Sequence, residues 1–135
     1  MLRAVIDTNV IVSGLLFGGL PFKILRAGFE RKFDWLISLH LLQELHRVLS
    51  SGKFSLTKRE VAVLVSPVLE VIEIIVPQDV IKAVRSCDAD NRVLECAVEG
   101  ACKVIVTGDR QHLLSLGQYR GIEIVQPRVF WEKHL

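Results

Sequence analysis

Leu2-Arg3-Ala4-Val5-Ile6-Asp7-Thr8-Asn9-Val10 opens the chain as an apolar run that ends on a carboxylate and passes at once into a helical pattern. A continuous short apolar run of this kind predicts a strand buried on both faces, as in a parallel sheet. Four further runs repeat the signal: Trp35 to Ser38, Val71 to Ile75, Val104 to Val106 and Ile122 to Val125. Between them, Asn9 to Phe17, Phe22 to Arg31, Leu39 to Ser50, Thr57 to Leu69 and Asn91 to Glu99 predict helices, and Pro127 followed by Arg128 to Lys133 predicts a terminal one. Strands alternating with helices imply parallel βαβ units and a layered α/β fold. Gly18-Gly19, Ser51-Gly52 and Gly100 mark helix ends and Gly121 a turn. The segment from Pro77 to Cys87 fits either a helix or a loop.

At 135 residues, with no repeat, low-complexity tract or linker, residues 1–135 are expected to form one domain. Half the residues are hydrophobic and 24% are charged, which excludes a disordered chain. A net charge of +2 and a pI of about 8.5 permit a nucleic-acid partner without arguing for one. Cys87, Cys96 and Cys102 form no CxxC pair, so a zinc or disulfide framework is not expected. The stretch from Val61 to Val76 is interrupted by Ser66, Pro67, Glu70 and Glu73 and falls short of a membrane span. With no signal-peptide pattern at the start, the expected location is the cytoplasm.

Four acids fall at element junctions: Asp7 after the first strand, Glu44 after the second, Asp90 opening a helix and Asp109 after Val104 to Thr107. In an open parallel sheet, ligands bind beyond the carboxyl ends of the strands, where strand order reverses. Carboxylates gathered there repel one another unless a cation is present, and hard oxygen donors suit Mg²⁺ or Mn²⁺.

Each residue also has a plainer reading. Asp7 is well placed to cap the helix that follows, and so are Asp88 or Asp90 and Asp109. Glu44 lies beside the stripe Leu41, Leu42, Leu45, Val48 and Leu49, with His40 and Arg47 one turn away, as on a solvated face. Glu95, between Arg92 and Glu99, has the spacing of an exposed face. Thr107 suits a hydroxyl satisfying a turn, and Gly108 a close backbone approach. The histidines show no HExxH pairing, and there is no GxGxxG or GxxxxGK[ST] phosphate loop.

Taken together, Val5-Ile6-Asp7-Thr8-Asn9-Val10, Glu44, Asp90-Asn91-Arg92-Val93-Leu94-Glu95-Cys96-Ala97 and Val106-Thr107-Gly108-Asp109 resemble the PIN-domain family of metal-dependent ribonucleases. The likeness is greatest to the branch described as toxin components of type II toxin–antitoxin pairs. It implies a three-layer α/β/α fold with a central parallel sheet. It also implies Asp7, Glu44, Asp90 and Asp109 as catalytic acids, with Asp7, Asp90 and Asp109 holding metal and Asn9, Thr107 and Asp88 in support. Glu44 would be a ligand, directly or through water, or would orient the attacking water.

Two departures stand out. Relatives usually carry a longer acidic run around DPDD where this chain has Cys87-Asp88-Ala89-Asp90, and Asp90 is preferred as the third acid because it abuts Asn91-Arg92. Gln111 replaces a further acid found in some relatives, which implies one firmly held ion and a second joined only with substrate.

The chemistry implied is hydrolysis of an RNA phosphodiester by a metal-activated water. Arg92 and Arg110 are candidate phosphate contacts. Lys23, Arg26, Arg31 and Lys32 on one helix, and Lys53, Lys58 and Arg59 near another, are candidates to guide RNA. Single-stranded or looped RNA is the expected substrate, and no aromatic platform for it is legible. The resemblance further implies an antitoxin protein covering the acids, with an arginine among them, and the apolar content is compatible with a homodimer. The rival readings are a non-catalytic PIN-like module that binds RNA or protein and an aspartyl phosphatase, which wants a second Asp where Asn9 stands.

Overall fold

In the computed structural model, which describes residues 1–84, 88–108 and 111–135, the opening run forms β1 (Arg3–Ile6), whose Ala4, Val5 and Ile6 are buried. It leads into α1 (Thr8–Phe17) and α2 (Gly19–Phe29), then β2 (Asp34–Ser38), α3 (Leu39–Leu49), α4 (Lys58–Val71) and β3 (Ile72–Ile75). The chain continues through α5 (Asp88–Glu99), β4 (Val104–Val106), α6 (Gln111–Leu116), β5 (Gln118–Tyr119), β6 (Ile122–Val125) and α7 (Pro127–His134). The strands lie in one sheet in the order β3-β2-β1-β4-β6-β5, every pairing parallel except β5 with β6. Helices flank this sheet, as the α/β reading expects. The order reverses between β1 and β4, so the crevice beyond their carboxyl ends is the switch point.

The strand order explains why residues 4–6, 35–37 and 104–106 in the central strands are apolar throughout, whereas β3, at the sheet edge, carries exposed Glu73 and Ile74. β1 pairs with β2 on one side and β4 on the other, leaving no edge of β1 to solvent. β6, one place from the edge, instead alternates buried Ile122 and Ile124 with half-buried Glu123 and Val125. The edge strand β5 and the short α6 carry too little periodic pattern to be seen in the sequence, and both escaped it. α2 begins at Gly19 rather than Phe22, because Pro21 is tolerated in a first turn, and α5 begins at Asp88 rather than Asn91.

Gly18 and Gly19, at φ of 74° and 68°, take the left-handed backbone that lets α1 and α2 meet at 102°. α2 then lies close against β2: a Cβ on Gly28 would come within 2.7 Å of Trp35 Cε3. Trp35 is buried and neighbours Phe33, which meets Phe130 of α7 edge-on at 5.4 Å. Gly28→Ala is therefore expected to cost about 1–3 kcal/mol through overpacking, lowering the thermal midpoint by about 5 °C or more in a melting experiment. An unchanged midpoint would mean that α2 shifts freely on the sheet.

The described part of the 77–87 segment, residues 77–84, contains neither helix nor strand. Side chains of α5 hold it: Glu99 Oε1 accepts from the Gln78 N–H at 2.8 Å, and Glu95 Oε2 from the Ile81 N–H at 2.8 Å. Asn91 accepts from the Val84 N–H at 2.9 Å and donates to the Val84 carbonyl at 2.7 Å. Glu95 is consequently buried, contrary to the exposed face its spacing suggests. Its carboxylate also pairs with Arg92, at 2.6 Å to Nε and 2.7 Å to the terminal nitrogen.

No single described helix is long and apolar enough to cross a membrane.

Candidate active site

Asp7 follows β1 at the switch point and is fully buried. Its backbone N–H donates to the Val106 carbonyl of β4 at 2.8 Å, extending the β1–β4 pairing by one residue. It occupies the cap position of α1, and its carbonyl receives the Val10 and Ile11 N–H groups, but its side chain makes no capping hydrogen bond. Oδ2 accepts instead from the Thr107 hydroxyl at 2.7 Å. Capping by the side chain thus does not explain Asp7, and Thr107 does not spend its hydroxyl on its own turn. A bond between residues one hundred apart in sequence clamps the ends of β1 and β4 together across the crevice.

Thr8 Oγ1, next along the chain, is buried with no hydrogen-bond partner among the described residues. An orphaned hydroxyl beside a buried carboxylate suits a site completed by something else, since buried polar oxygens are otherwise almost always satisfied.

Asp90 lies in the first turn of α5, which packs on β1, β2 and β4, and is buried, whereas Asp88 two residues earlier is exposed. Both gain from the helix dipole there. Glu44, in the second turn of α3, is half-buried, and α3 itself packs against α1, α4 and α5. Asn9 is exposed on α1, and Arg92 is half-buried in its pair with Glu95. Asp109 and Arg110 lie outside the described residues. Among those described, no three His, Cys, Asp or Glu side chains are grouped to hold a metal ion. The buried carboxylates Asp7 and Asp90, with the spare Thr8 hydroxyl, are hard oxygen donors, and this donor chemistry fits Mg²⁺ or Mn²⁺.

Among the described residues, a Cβ on Gly108 would meet Val10 at an ordinary 4.0 Å. Of the basic residues, Arg31 donates to the Glu70 carbonyl and Lys32 precedes β2, at the amino edge of the sheet and away from the acids. Lys53 follows α3 and is exposed.

Cys96 and Cys102 are buried free thiols pushed up to about 12, chiefly by desolvation. They stay protonated and unreactive. In the folded protein at pH 8 neither is expected to take up iodoacetamide, and both should do so in denaturant. Rapid labelling of either in the native state, read by peptide mass spectrometry, would contradict the packing.

A mostly parallel sheet flanked by helices, with the buried Asp7 at its switch point, defines an α/β protein. The chain belongs to the PIN domain family, whose model matches residues 3–111. It is similar in structure to a chain in the crystal structure of VapBC2 from Rickettsia felis bound to a DNA fragment from their promoter. That likeness has a TM-score of 0.65 at 14% sequence identity and covers 93% of this chain and 98% of that one. No curated protein matches the sequence.

Proposed function

We propose that this protein is a divalent-metal-dependent ribonuclease of the cytoplasm and the toxin of a toxin–antitoxin pair. The observation that carries the reading is the buried Asp7 carboxylate, diverted from capping and held by Thr107 across the switch point of a PIN domain. A carboxylate costs free energy to bury, and a cation ligand is one of the few roles that offset the cost.

In this reading Asp7, Asp90 and Asp109 hold Mg²⁺ or Mn²⁺, with Asp88 in support. Bound there, such an ion would supply a nucleophilic water at neutral pH and would offset charge on the phosphate. Thr107 fixes the rotamer of Asp7. Glu44 binds the ion, directly or through water, or orients the attacking water. Arg110 and Arg92 contact phosphate, Arg92 with the guanidinium donors left over from Glu95. An antitoxin protein that places an arginine among these carboxylates would compete with the ion, and the apolar content is compatible with a homodimer. The similarity to a VapBC2 chain supports a two-protein system, without extending to RNA.

The test is cleavage of a mixed pool of single-stranded RNA with Mg²⁺ or Mn²⁺, beside an EDTA control. Metal-dependent cleavage is expected. Absence of cleavage together with absence of metal binding in calorimetry would assign the chain instead to non-catalytic binding.

A further inference from the structure

Along α1, Asn9, Val12, Ser13 and Phe17 line one side of a groove of about 390 Å³, faced by Val48 of α3 and by Lys53 and Phe54 of the loop after it. Its two ends differ in chemistry. At one, Asn9 stands two residues from Asp7, and Val48 one helical turn beyond Glu44. At the other, about 12 Å further along the helix, Phe17 is 73% exposed, a costly placement for so large an apolar side chain. Phe54 lies beside it, ring centroids 6.4 Å apart and tilted by 59°, so that the rings do not cover each other. Lys53 Nζ sits 5.6 Å from the Phe54 ring centre. The loop is pinned at both ends: Ser51 Oγ donates to the Val48 carbonyl at 2.8 Å, and Thr57 and Glu60 cap α4 reciprocally. An exposed ring on α1 and a half-buried ring on a fixed loop, beside a cation and next to the candidate acidic site, form the aromatic platform that the sequence conceals.

The geometry points to a nucleobase-stacking subsite for single-stranded RNA in this groove, made by Phe17 and Phe54, with Lys53 meeting the phosphate backbone. The inference rests on the ribonuclease reading and adds to it the path of the substrate. Bases stack on aromatic side chains whatever their sequence, and a neighbouring lysine adds a salt-dependent contribution. Strand leaving the acids along α1 would thus be held without being read.

The experiment measures fluorescence anisotropy of a fluorescein-labelled single-stranded oligoribonucleotide of mixed sequence, and of its abasic counterpart. The full chain carries Asp7→Asn so that the probe survives. Phe17→Ala and Phe54→Ala in that background are each expected to weaken binding of the base-bearing probe about tenfold. Binding of the abasic probe should be unaltered by either. Lys53→Ala is expected to weaken both probes and to reduce the salt dependence. Val63→Ala, which removes another exposed apolar side chain, on α4, should change nothing. Undiminished binding of the base-bearing probe by Phe17→Ala would overturn the subsite. If that variant instead lost affinity only for a co-expressed protein partner, the groove would be a protein-docking surface and the proposal would fall. RNA cleavage by the unsubstituted chain would leave the ribonuclease reading standing in either case, whereas no RNA binding or cleavage by any form would remove both.

Discussion

Asp7→Asn is expected to lower metal-dependent RNA cleavage by a factor on the order of 10³ or more while leaving the fold intact. The substitution is nearly isosteric. Asparagine keeps an oxygen where Asp7 Oδ2 receives the Thr107 hydroxyl, and the backbone bonds from Asp7 to Val106, Val10 and Ile11 are untouched. What disappears is a negative charge in a fully buried position, where the surrounding medium screens a cation poorly. Circular dichroism and the thermal midpoint should therefore match the parent protein even as cleavage is lost, and calorimetry should show weakened Mn²⁺ binding. Thr107→Val, which removes only the hydroxyl that orients Asp7, should reduce cleavage far less. An Asp7→Asn protein that cleaves RNA at the parent rate would end the assignment of the site.

The second large effect is on stability. Glu95→Ala removes, in one step, the acceptor for the Ile81 N–H and the counter-ion of Arg92. Ile81 is 4% exposed, so its N–H has no ready access to water, and the Arg92 side chain is 27% exposed. Breaking a buried pair from one side leaves the other charge uncompensated, for a combined loss of about 3 kcal/mol. The expected fall in thermal midpoint is about 10 °C. Glu95→Gln keeps an acceptor for Ile81 and gives up only the charge, so its loss should be the smaller. Glu132→Ala, at a position on α7 with 64% exposure and an ion pair to Arg128, provides the comparison. If Glu95→Ala were no more destabilising than Glu132→Ala, the 77–84 segment would not depend on α5. The same strap has a functional side: Asn91 ties Val84 to the first turn of α5, one residue from Asp90. A slack strap would loosen that carboxylate as well as the fold.

The amino-acid order alone determined the five longer strands and the principal helices, because strands buried on both faces, as at the centres of β1, β2 and β4, must be apolar there, the outer β3 and β6 remain mostly apolar, and a helix buried on one side must repeat every three to four residues. It also determined which acids stand at strand and helix ends. Local pattern carries these features, since each is a matter of neighbours within a turn or a pleat. It did not reveal β5 or α6, too short to express a period, nor the burial of Glu95, which results from the 77–84 segment lying over α5. Nor did it reveal that Asp7 gives its side chain to Thr107 instead of to its own helix, or that Phe17 and Phe54 meet across 36 intervening residues. Those are decided by tertiary structure alone, because hydrogen bonds and ring contacts act over a few ångströms of space and are indifferent to separation along the chain.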